Sequence, residues 1–234
     1  RTRDDASQYL DAGADKGVIS APPKGEKPVK QIVYGVNHDE YDGEEIVSNA
    51  SCTTNSITPV VDVLDEAFGI EYGQLTTVHA YTGSQNLVDG PSGKPRRRRA
   101  AAENIIPTTT GAAKAVTEVL PQLEGKLDGM AIRVPVPAGS VTELLVNLED
   151  DVTEGDVNAA FREAADGDLA GVLGYTDEEV VSTDILGMPF SSTVDLQSTN
   201  QVGDGGLYKI LTWYDNEFGF SNRMLDVAAY ITAE

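Results

Sequence analysis

A buried strand gives way to a helix in the segment SNASCTTN, residues 48–55. From Thr53 to Phe68, apolar residues recur on one helical face, at positions Ile57, Val60, Val61, Leu64 and Phe68. The only cysteine of the chain, Cys52, therefore lies at a helix N-terminus. Free backbone amides and the helix dipole stabilise negative charge at this end. The pattern predicts that Cys52 is a nucleophilic thiol rather than a buried hydrophobic side chain.

A candidate base lies at the end of the next predicted strand. His79 falls within the strand Leu75–Ala80, which opens into a long irregular stretch from Thr82 to Thr109. If the fold returns this strand end to the start of the helix, the imidazole meets the thiol. It then holds the thiolate and acts as a base toward a carbonyl adduct. The other histidine, His38, is predicted to be a turn residue without a catalytic role.

Composition limits the function classes that remain. The 234 residues include 17 basic and 38 acidic side chains, a net charge of −21, which disfavours nucleic acid and anionic membranes as partners. One cysteine and two histidines make a disulfide or a metal site improbable. No apolar run approaches the roughly 20 residues of a membrane span, and no signal peptide is recognisable. We therefore expect a cytoplasmic protein with an acidic surface of the kind found in salt-adapted cells.

Four segments in one order carry a family resemblance. They are SCTTN at 51–55, HAYT at 79–82, TTTGAAK at 108–114 and WYDNE at 213–217. With these segments the chain resembles phosphorylating glyceraldehyde-3-phosphate dehydrogenase over essentially its whole length. The resemblance implies NAD-dependent oxidation of glyceraldehyde 3-phosphate to 1,3-bisphosphoglycerate through a thioester on Cys52. It also implies that His79 takes the hydroxyl proton while hydride leaves for the nicotinamide, and that inorganic phosphate releases the thioester.

The resemblance assigns residues to two phosphate sites and to the cofactor. Thr82 and Arg133 match the site for the substrate's phosphate, and Arg99 matches the arginine that closes the long loop toward both sites. Asn216 matches the side chain that binds the nicotinamide carboxamide, a role compatible with capping the last helix. The site for inorganic phosphate is matched by Ser51, Thr53, Thr110 and Gly111. Hydroxyls, arginines and helix-end amides are the donors that phosphate requires.

We predict an α/β and α+β fold with two domains. Residues 1–50 form the C-terminal part of a Rossmann dinucleotide-binding domain. Residues 51–214 form a catalytic domain with a mixed, largely antiparallel sheet covered by helices, and residues 215–234 form a terminal helix that returns to the first domain. Further strands are predicted at 130–135, 141–148, 178–182, 192–196 and 207–213. The resemblance implies a homotetramer in which 82–109 crosses a subunit interface.

The sequence departs from the family pattern in its cofactor half. No Gly-x-Gly-x-x-Gly segment occurs, so the chain resembles a fragment that lacks the first part of the dinucleotide-binding domain. We expect it to bind NAD weakly or not at all without that part. Gly90-Pro91 matches the loop of members that use NAD rather than NADP. Serine at position 56 replaces a common second cysteine, so Cys52 has no neighbouring thiol for a protective disulfide.

Two alternatives remain open from the sequence. A related enzyme would keep the same cysteine and histidine while acting on another phosphorylated aldehyde, such as erythrose 4-phosphate, or while releasing its thioester to water. A binding or scaffolding protein would instead use the run Arg96–Arg99, with Cys52 inert. Dependence of turnover on phosphate separates the enzymes from each other, and thiol reactivity separates the enzymes from the scaffold.

Overall fold

Ten strands and five α-helices make up the part of the chain that the structure, a computed structural model, describes, residues 1–233. The helices are α1 (Arg3–Asp11), α2 (Cys52–Phe68), α3 (Ala112–Val119), α4 (Glu154–Asp166) and α5 (Phe218–Ala233). The strands are β1 (Gly17–Ile19), β2 (Lys30–Gln31), β3 (Ile46–Ser48), β4 (Ile70–Ala80), β5 (Ile106–Thr109), β6 (Leu127–Val134), β7 (Ser140–Leu148), β8 (Leu173–Thr176), β9 (Ser192–Gln201) and β10 (Leu207–Tyr214). Short 3-10 turns occupy His38–Glu40, Pro95–Arg98 and Pro121–Leu123.

A seven-stranded sheet forms the larger part of the fold. Its strand order is β5-β6-β4-β7-β10-β9-β8. The pairs β4–β6 and β8–β9 are parallel, and the other adjacent pairs are antiparallel. The predicted fold class is confirmed, including the mixed and largely antiparallel sheet.

The main core lies between this sheet and helices α2, α3 and α4. The predicted apolar face of α2 is buried there, with Ile57 and Leu64 fully inaccessible to solvent. They pack in one cluster with Leu75, Leu144 and Phe161 from β4, β7 and α4. Burial of each such side chain contributes roughly 1.5–3 kcal/mol to stability. This core fixes α2, and with it Cys52, against the sheet that carries His79.

A small parallel sheet precedes the main sheet in the chain. Its strand order is β1-β3-β2, and β3 leads through residues 49–51 into α2. Helix α5 packs on this sheet, with Val227 and Ile231 in one apolar cluster with Ile32, Tyr41 and Val47. The boundaries of the two domains stay a prediction. Among residues 1–233, no helix is long and apolar enough to span a membrane.

Two local predictions differ from the structure. Residues 178–182 form no strand, because the carboxylate of Asp184 accepts a hydrogen bond from the Val181 amide and closes a turn. The strand of this region is β8, which pairs with β9. The stretch 82–109 is not irregular throughout, since it ends in β5. That strand contains Pro107, which is tolerated because β5 lies at the sheet edge and pairs only with β6.

Candidate active site

Helix α2 begins at Cys52, and the preceding residues shape its start. Ala50 adopts a left-handed backbone conformation with φ of 54°, which turns the chain sharply after β3. The Ser51 hydroxyl accepts a hydrogen bond from the Thr54 amide at 3.0 Å and caps the helix. The predicted position of Cys52 at the helix N-terminus is therefore confirmed, and its thiol is half-buried beside the first free amides.

The end of β4 brings His79 to this thiol. The Cys52 Sγ lies 3.4 Å from the Nε2 atom of His79, and the imidazole is almost fully buried. The other ring nitrogen, Nδ1, lies 2.7 Å from the Ala80 carbonyl oxygen. A proton on Nδ1 is donated to that oxygen and leaves the Nε2 lone pair facing the sulfur. The two groups that the sequence selected are therefore within proton-transfer distance.

Arg133 is the third member of this cluster. It lies directly opposite His79 in the parallel pairing of β4 with β6. Its Nη1 donates to the Ala80 carbonyl oxygen at 2.7 Å and lies 2.8 Å from His79 Nδ1. Both the guanidinium and the protonated Nδ1 thus donate to the Ala80 carbonyl oxygen, and the arginine charge lies against the edge of the imidazole that faces away from the sulfur.

Burial and this arginine set the charge state of the pair. Burial, with the charges of Arg133 and Arg97, lowers the pKa of His79 from 6.5 to about 4. Burial raises the pKa of the Cys52 thiol, while a hydrogen bond from Thr53 and the charge of Arg133 oppose that rise. At neutral pH the imidazole is thus uncharged and free to accept a proton. The cation that acts on the sulfur is therefore the guanidinium of Arg133 and not a protonated His79.

A cleft of about 610 Å³ opens in front of Cys52 and His79. It is lined by most of the predicted site residues, namely Ser51, Cys52, Thr53, Thr82, His79, Thr110, Gly111 and Arg133. Gly111 immediately precedes α3, so the first amides of that helix face the cleft. Hydroxyls, amides and a guanidinium thus surround the thiol, which is the donor set that phosphate groups need.

The arginine of the long loop that reaches the cleft is Arg97 and not the predicted Arg99. Arg97 donates from Nε to the Thr108 hydroxyl at 3.1 Å and lines the cleft. Arg99 points to solvent, 63% exposed, and pairs with Asp89 at 3.2 Å. The 3-10 turn Pro95–Arg98 sets which arginine faces inward. In a run of four identical side chains, no sequence signal distinguishes them.

Asn216 lies outside the cleft lining, directly after β10. Its Oδ1 accepts hydrogen bonds from the Gly139 amide at 3.1 Å and the Ser140 hydroxyl at 3.2 Å. The chain entering α5 is capped by the neighbouring Asp215, whose Oδ1 accepts from the amides of Glu217 and Phe218. The suggested capping role thus belongs to Asp215. With its oxygen engaged, Asn216 presents its Nδ2 as a donor.

Sequence reasoning missed a buried tyrosine beneath the pair. The Tyr214 hydroxyl lies 2.9 Å from the Thr53 hydroxyl and 2.8 Å from the Thr77 hydroxyl, and it joins α2 to β4. Its ring meets His79 edge-on at a centroid distance of 5.9 Å. Burial raises the pKa of Tyr214, so the hydroxyl stays protonated and serves as a donor. Its place in the segment WYDNE was the available signal.

Sequence reasoning also missed two lysines, Lys24 and Lys94, which line the cleft. Within residues 1–233, no group of three or more histidine, cysteine, aspartate or glutamate side chains is arranged to hold a metal ion.

The mixed sheet and the cysteine–histidine pair in a cationic cleft define a catalytic domain that carries a thiol nucleophile and a base. A model of the C-terminal domain of glyceraldehyde 3-phosphate dehydrogenase matches residues 51–216. The chain is 78% identical to glyceraldehyde-3-phosphate dehydrogenase from Haloarcula vallismortis over 232 residues, which cover 99% of this chain and 69% of the relative. It is 56% identical to the Streptomyces coelicolor enzyme of that name, and the match covers 97% of this chain and 68% of that enzyme. For the Geobacillus stearothermophilus enzyme the identity is 54%, and the match covers 99% of this chain and 69% of that enzyme. The chain belongs to the glyceraldehyde 3-phosphate dehydrogenase family.

Proposed function

We propose that this chain carries the catalytic residues of an enzyme that oxidises and phosphorylates glyceraldehyde 3-phosphate to 1,3-bisphosphoglycerate. The 3.4 Å approach of Cys52 Sγ to His79 Nε2 in a cleft lined by cations is the observation that supports it. This geometry also argues against an inert cysteine in a scaffolding protein, because it supplies a nucleophile and a base at one point.

The chemistry begins at the sulfur. His79 Nε2 accepts the thiol proton, and the Cys52 sulfur forms a bond to the aldehyde carbon. The carbonyl oxygen takes the proton from Nε2 to complete a hemithioacetal. His79 then removes that proton again as a hydride leaves the carbon, and the carbonyl forms anew as a thioester. An oxygen of inorganic phosphate attacks this carbon, the carbon–sulfur bond breaks, and Cys52 leaves as the thiolate.

Two groups of donors bind the phosphates in this proposal. Thr82 and Arg133 hold the phosphate of the substrate, with Arg97 replacing Arg99 as the loop arginine that closes on the site. Thr110, Gly111 and the Ser51 and Thr53 side chains hold inorganic phosphate. The common lining of one cleft supports this, since both anions must reach the same carbon atom.

The family implies a nicotinamide dinucleotide cofactor, and we propose NAD rather than NADP from the Gly90-Pro91 loop. The cofactor supplies the acceptor for the hydride when it is bound. Asn216 fits the carboxamide of the ring, because its buried oxygen is engaged by Gly139 and Ser140 and its amide hydrogens remain as donors. With the cofactor bound, this donor would orient the ring and would thereby select the face that receives the hydride.

We also propose a homotetramer in which 82–109 crosses between subunits. Exposed apolar side chains in this stretch, Leu87, Val88 and Ile105, support an interface there. A cytoplasmic location is proposed because a reactive, unpaired thiol persists in a reducing compartment.

The deciding experiment uses the full-length chain in high salt, which screens its net charge of −21. Reduction of NAD is followed with glyceraldehyde 3-phosphate, with and without inorganic phosphate, and with Cys52→Ser beside the wild type. We expect turnover that requires both phosphate and Cys52. Turnover by the Cys52→Ser protein would exclude the thioester route. Equal turnover without phosphate would indicate hydrolysis, and preference for erythrose 4-phosphate would identify the related enzyme.

A further inference from the structure

The cleft has a charge opposite to that of the chain. The basic residues of its lining are Arg1, Lys24, Lys94, Arg97 and Arg133, and no aspartate or glutamate occurs among the described residues of the lining. The chain as a whole carries 38 acidic and 17 basic residues. The charged side chains of the cleft are thus all cationic, and neutral residues make up the rest of its lining, in a protein that is strongly acidic overall.

Apart from Arg1, whose N-terminal ammonium pairs with Asp5 at 2.9 Å, these residues have no carboxylate partner among the described residues. None of the ion pairs found within residues 1–233 includes Lys24, Lys94, Arg97 or Arg133. Two of them, Lys94 and Arg97, donate hydrogen bonds to uncharged hydroxyl oxygens instead. Lys94 Nζ donates to the Thr109 hydroxyl at 2.6 Å, and Arg97 Nε donates to the Thr108 hydroxyl. Their positive charge is left for an anion from outside the protein.

Lys27, unlike Lys94, has a carboxylate partner. It is an exposed lysine of the same chain, and its ammonium pairs with Asp4 at 2.5 Å. Lys94 has no such neighbour, although its ammonium is a strongly charged donor with three protons. Thr109, which receives one of them, directly precedes Thr110 and Gly111 in the cleft.

We propose that Lys94 is a further binding residue for inorganic phosphate, a role that the resemblance to the family does not assign to it. This inference rests on the proposed function. The Thr109 hydroxyl holds the ammonium and places it beside the donors of Thr110 and Gly111. Phosphate then accepts from the ammonium, and a charge-assisted hydrogen bond replaces a neutral one.

The test measures KM separately for inorganic phosphate and for glyceraldehyde 3-phosphate in the full-length enzyme. Lys94→Ala and Lys94→Gln should raise KM for inorganic phosphate about tenfold, the loss expected for one hydrogen bond to a charged group. Lys94→Arg should restore most of it. Lys27→Ala is the matched control, because it removes one positive charge outside the cleft. Equal effects of the Lys94 and Lys27 variants would reduce the result to general electrostatics and overturn the proposal.

A second readout separates this inference from the proposed function. Line broadening of the ³¹P resonance of inorganic phosphate reports its binding without turnover. We expect weaker broadening with Lys94→Ala than with wild type or Lys27→Ala, even if the enzyme does not oxidise glyceraldehyde 3-phosphate. Unchanged phosphate binding by Lys94→Ala would refute the role of Lys94. A rise in KM for glyceraldehyde 3-phosphate alone would place the lysine at the substrate's phosphate and would also refute it.

Discussion

Arg133 acts on both members of the catalytic pair through one charge. It lowers the pKa of Cys52, which favours the thiolate, and lowers the pKa of His79, which keeps the imidazole neutral. A neutral imidazole accepts a proton from the thiol, whereas an imidazolium cannot. When a substrate phosphate pairs with Arg133, part of its charge is neutralised and the pKa of His79 rises. Substrate binding should therefore strengthen the base that the first step needs.

Replacing Arg133 by glutamine should raise the pKa of His79 from its value of about 4. Burial still holds the pKa of His79 below 6.5, but the charge of Arg133, the second-largest cause of the lowered pKa, is gone. Because the folded-state pKa of this histidine lies below its unfolded value, the free energy of unfolding falls as the pH drops from 6.5 toward 4. The Arg133→Gln variant should lose less of its free energy of unfolding over this pH range than the wild type. The chain has two histidines, so NMR titration of their ring protons follows His79 directly.

The ring signals of the second histidine, His38, are assigned separately from those of His79. His38 lies in the turn before β3, and its Nδ1 accepts a hydrogen bond from the Gly35 amide at 3.2 Å. An unchanged or lower midpoint for His79 in Arg133→Gln would show that the arginine charge does not control the base.

Arg97→Ala should impair catalysis more than Arg99→Ala. Arg97 faces the cleft, and loss of one hydrogen bond to a charged ligand raises KM for a phosphate-bearing substrate by roughly tenfold or more. Arg99 pairs at the surface with Asp89, an exposed contact worth at most about 1 kcal/mol in stability. Steady-state kinetics of the two variants, made in the full-length enzyme, check this order. A larger rise of KM in Arg99→Ala would restore the original assignment.

The site residues that sequence reasoning located are those tied to a strand or helix end. Cys52 and His79 follow directly from where α2 begins and β4 ends, and their 3.4 Å contact is what that reasoning anticipated. The inward arginine was misassigned, because the choice between Arg97 and Arg99 depends on a 3-10 turn within a uniform run. Tyr214 was missed because its contacts come from two elements, α2 and β4, that lie far from it in the chain.

At the scale of elements, the start of α5 is held by one carboxylate. Asp215 is buried, and its two oxygens accept three amide hydrogens, from Glu217 and Phe218 at Oδ1 and from Gly187 at Oδ2. It thereby ties the chain that follows β10 both to α5 and to the loop before β9. The same turn positions the adjacent Asn216, so the capping interaction and the proposed cofactor contact share one segment.

Asp215→Ala should lower the free energy of unfolding by about 1–2 kcal/mol, the usual cost of losing a helix cap. Asp215→Asn should lose less, because asparagine caps helices about as well and keeps an oxygen toward the amides. Thermal or urea unfolding of the two variants beside wild type measures the difference. Equal stability of Asp215→Ala and wild type would mean that these hydrogen bonds do not hold α5.

Element types were more predictable than element ends and edges. The apolar periodicity of α2 placed that helix within one residue of its observed bounds. Ile57 and Leu64 are also buried, as the pattern requires. The segment 178–182 was misread because Val180 and Val181 are apolar and strand-like in sequence. Instead, the carboxylate of the downstream Asp184 accepts a hydrogen bond from the Val181 amide and closes a turn, which the local pattern of apolar residues does not reveal.

For the whole molecule, two opposite charge distributions coexist. The surface gives the chain its net charge of −21, whereas the cleft is lined by cations and hydroxyls. Acidic self-repulsion opposes the compact state, and dissolved salt weakens it. The same salt weakens attraction between the cleft and anionic substrates. Salt should thus move stability and substrate affinity in opposite directions.

Raising KCl from about 0.1 M, where the screening length is about 10 Å, to about 1 M, where it is about 3 Å, should increase the unfolding temperature of this chain. Over the same range, KM for inorganic phosphate should rise in the full-length enzyme, because the attraction of its cationic cleft is screened. The two effects have separate origins, so Lys94→Ala should flatten the salt dependence of KM and leave that of the unfolding temperature nearly unchanged. A lower unfolding temperature in KCl would show that ion pairs, such as Arg162 with Asp177 at 2.6 Å, outweigh the acidic repulsion. The fold would then be stabilised by its charges and not in spite of them.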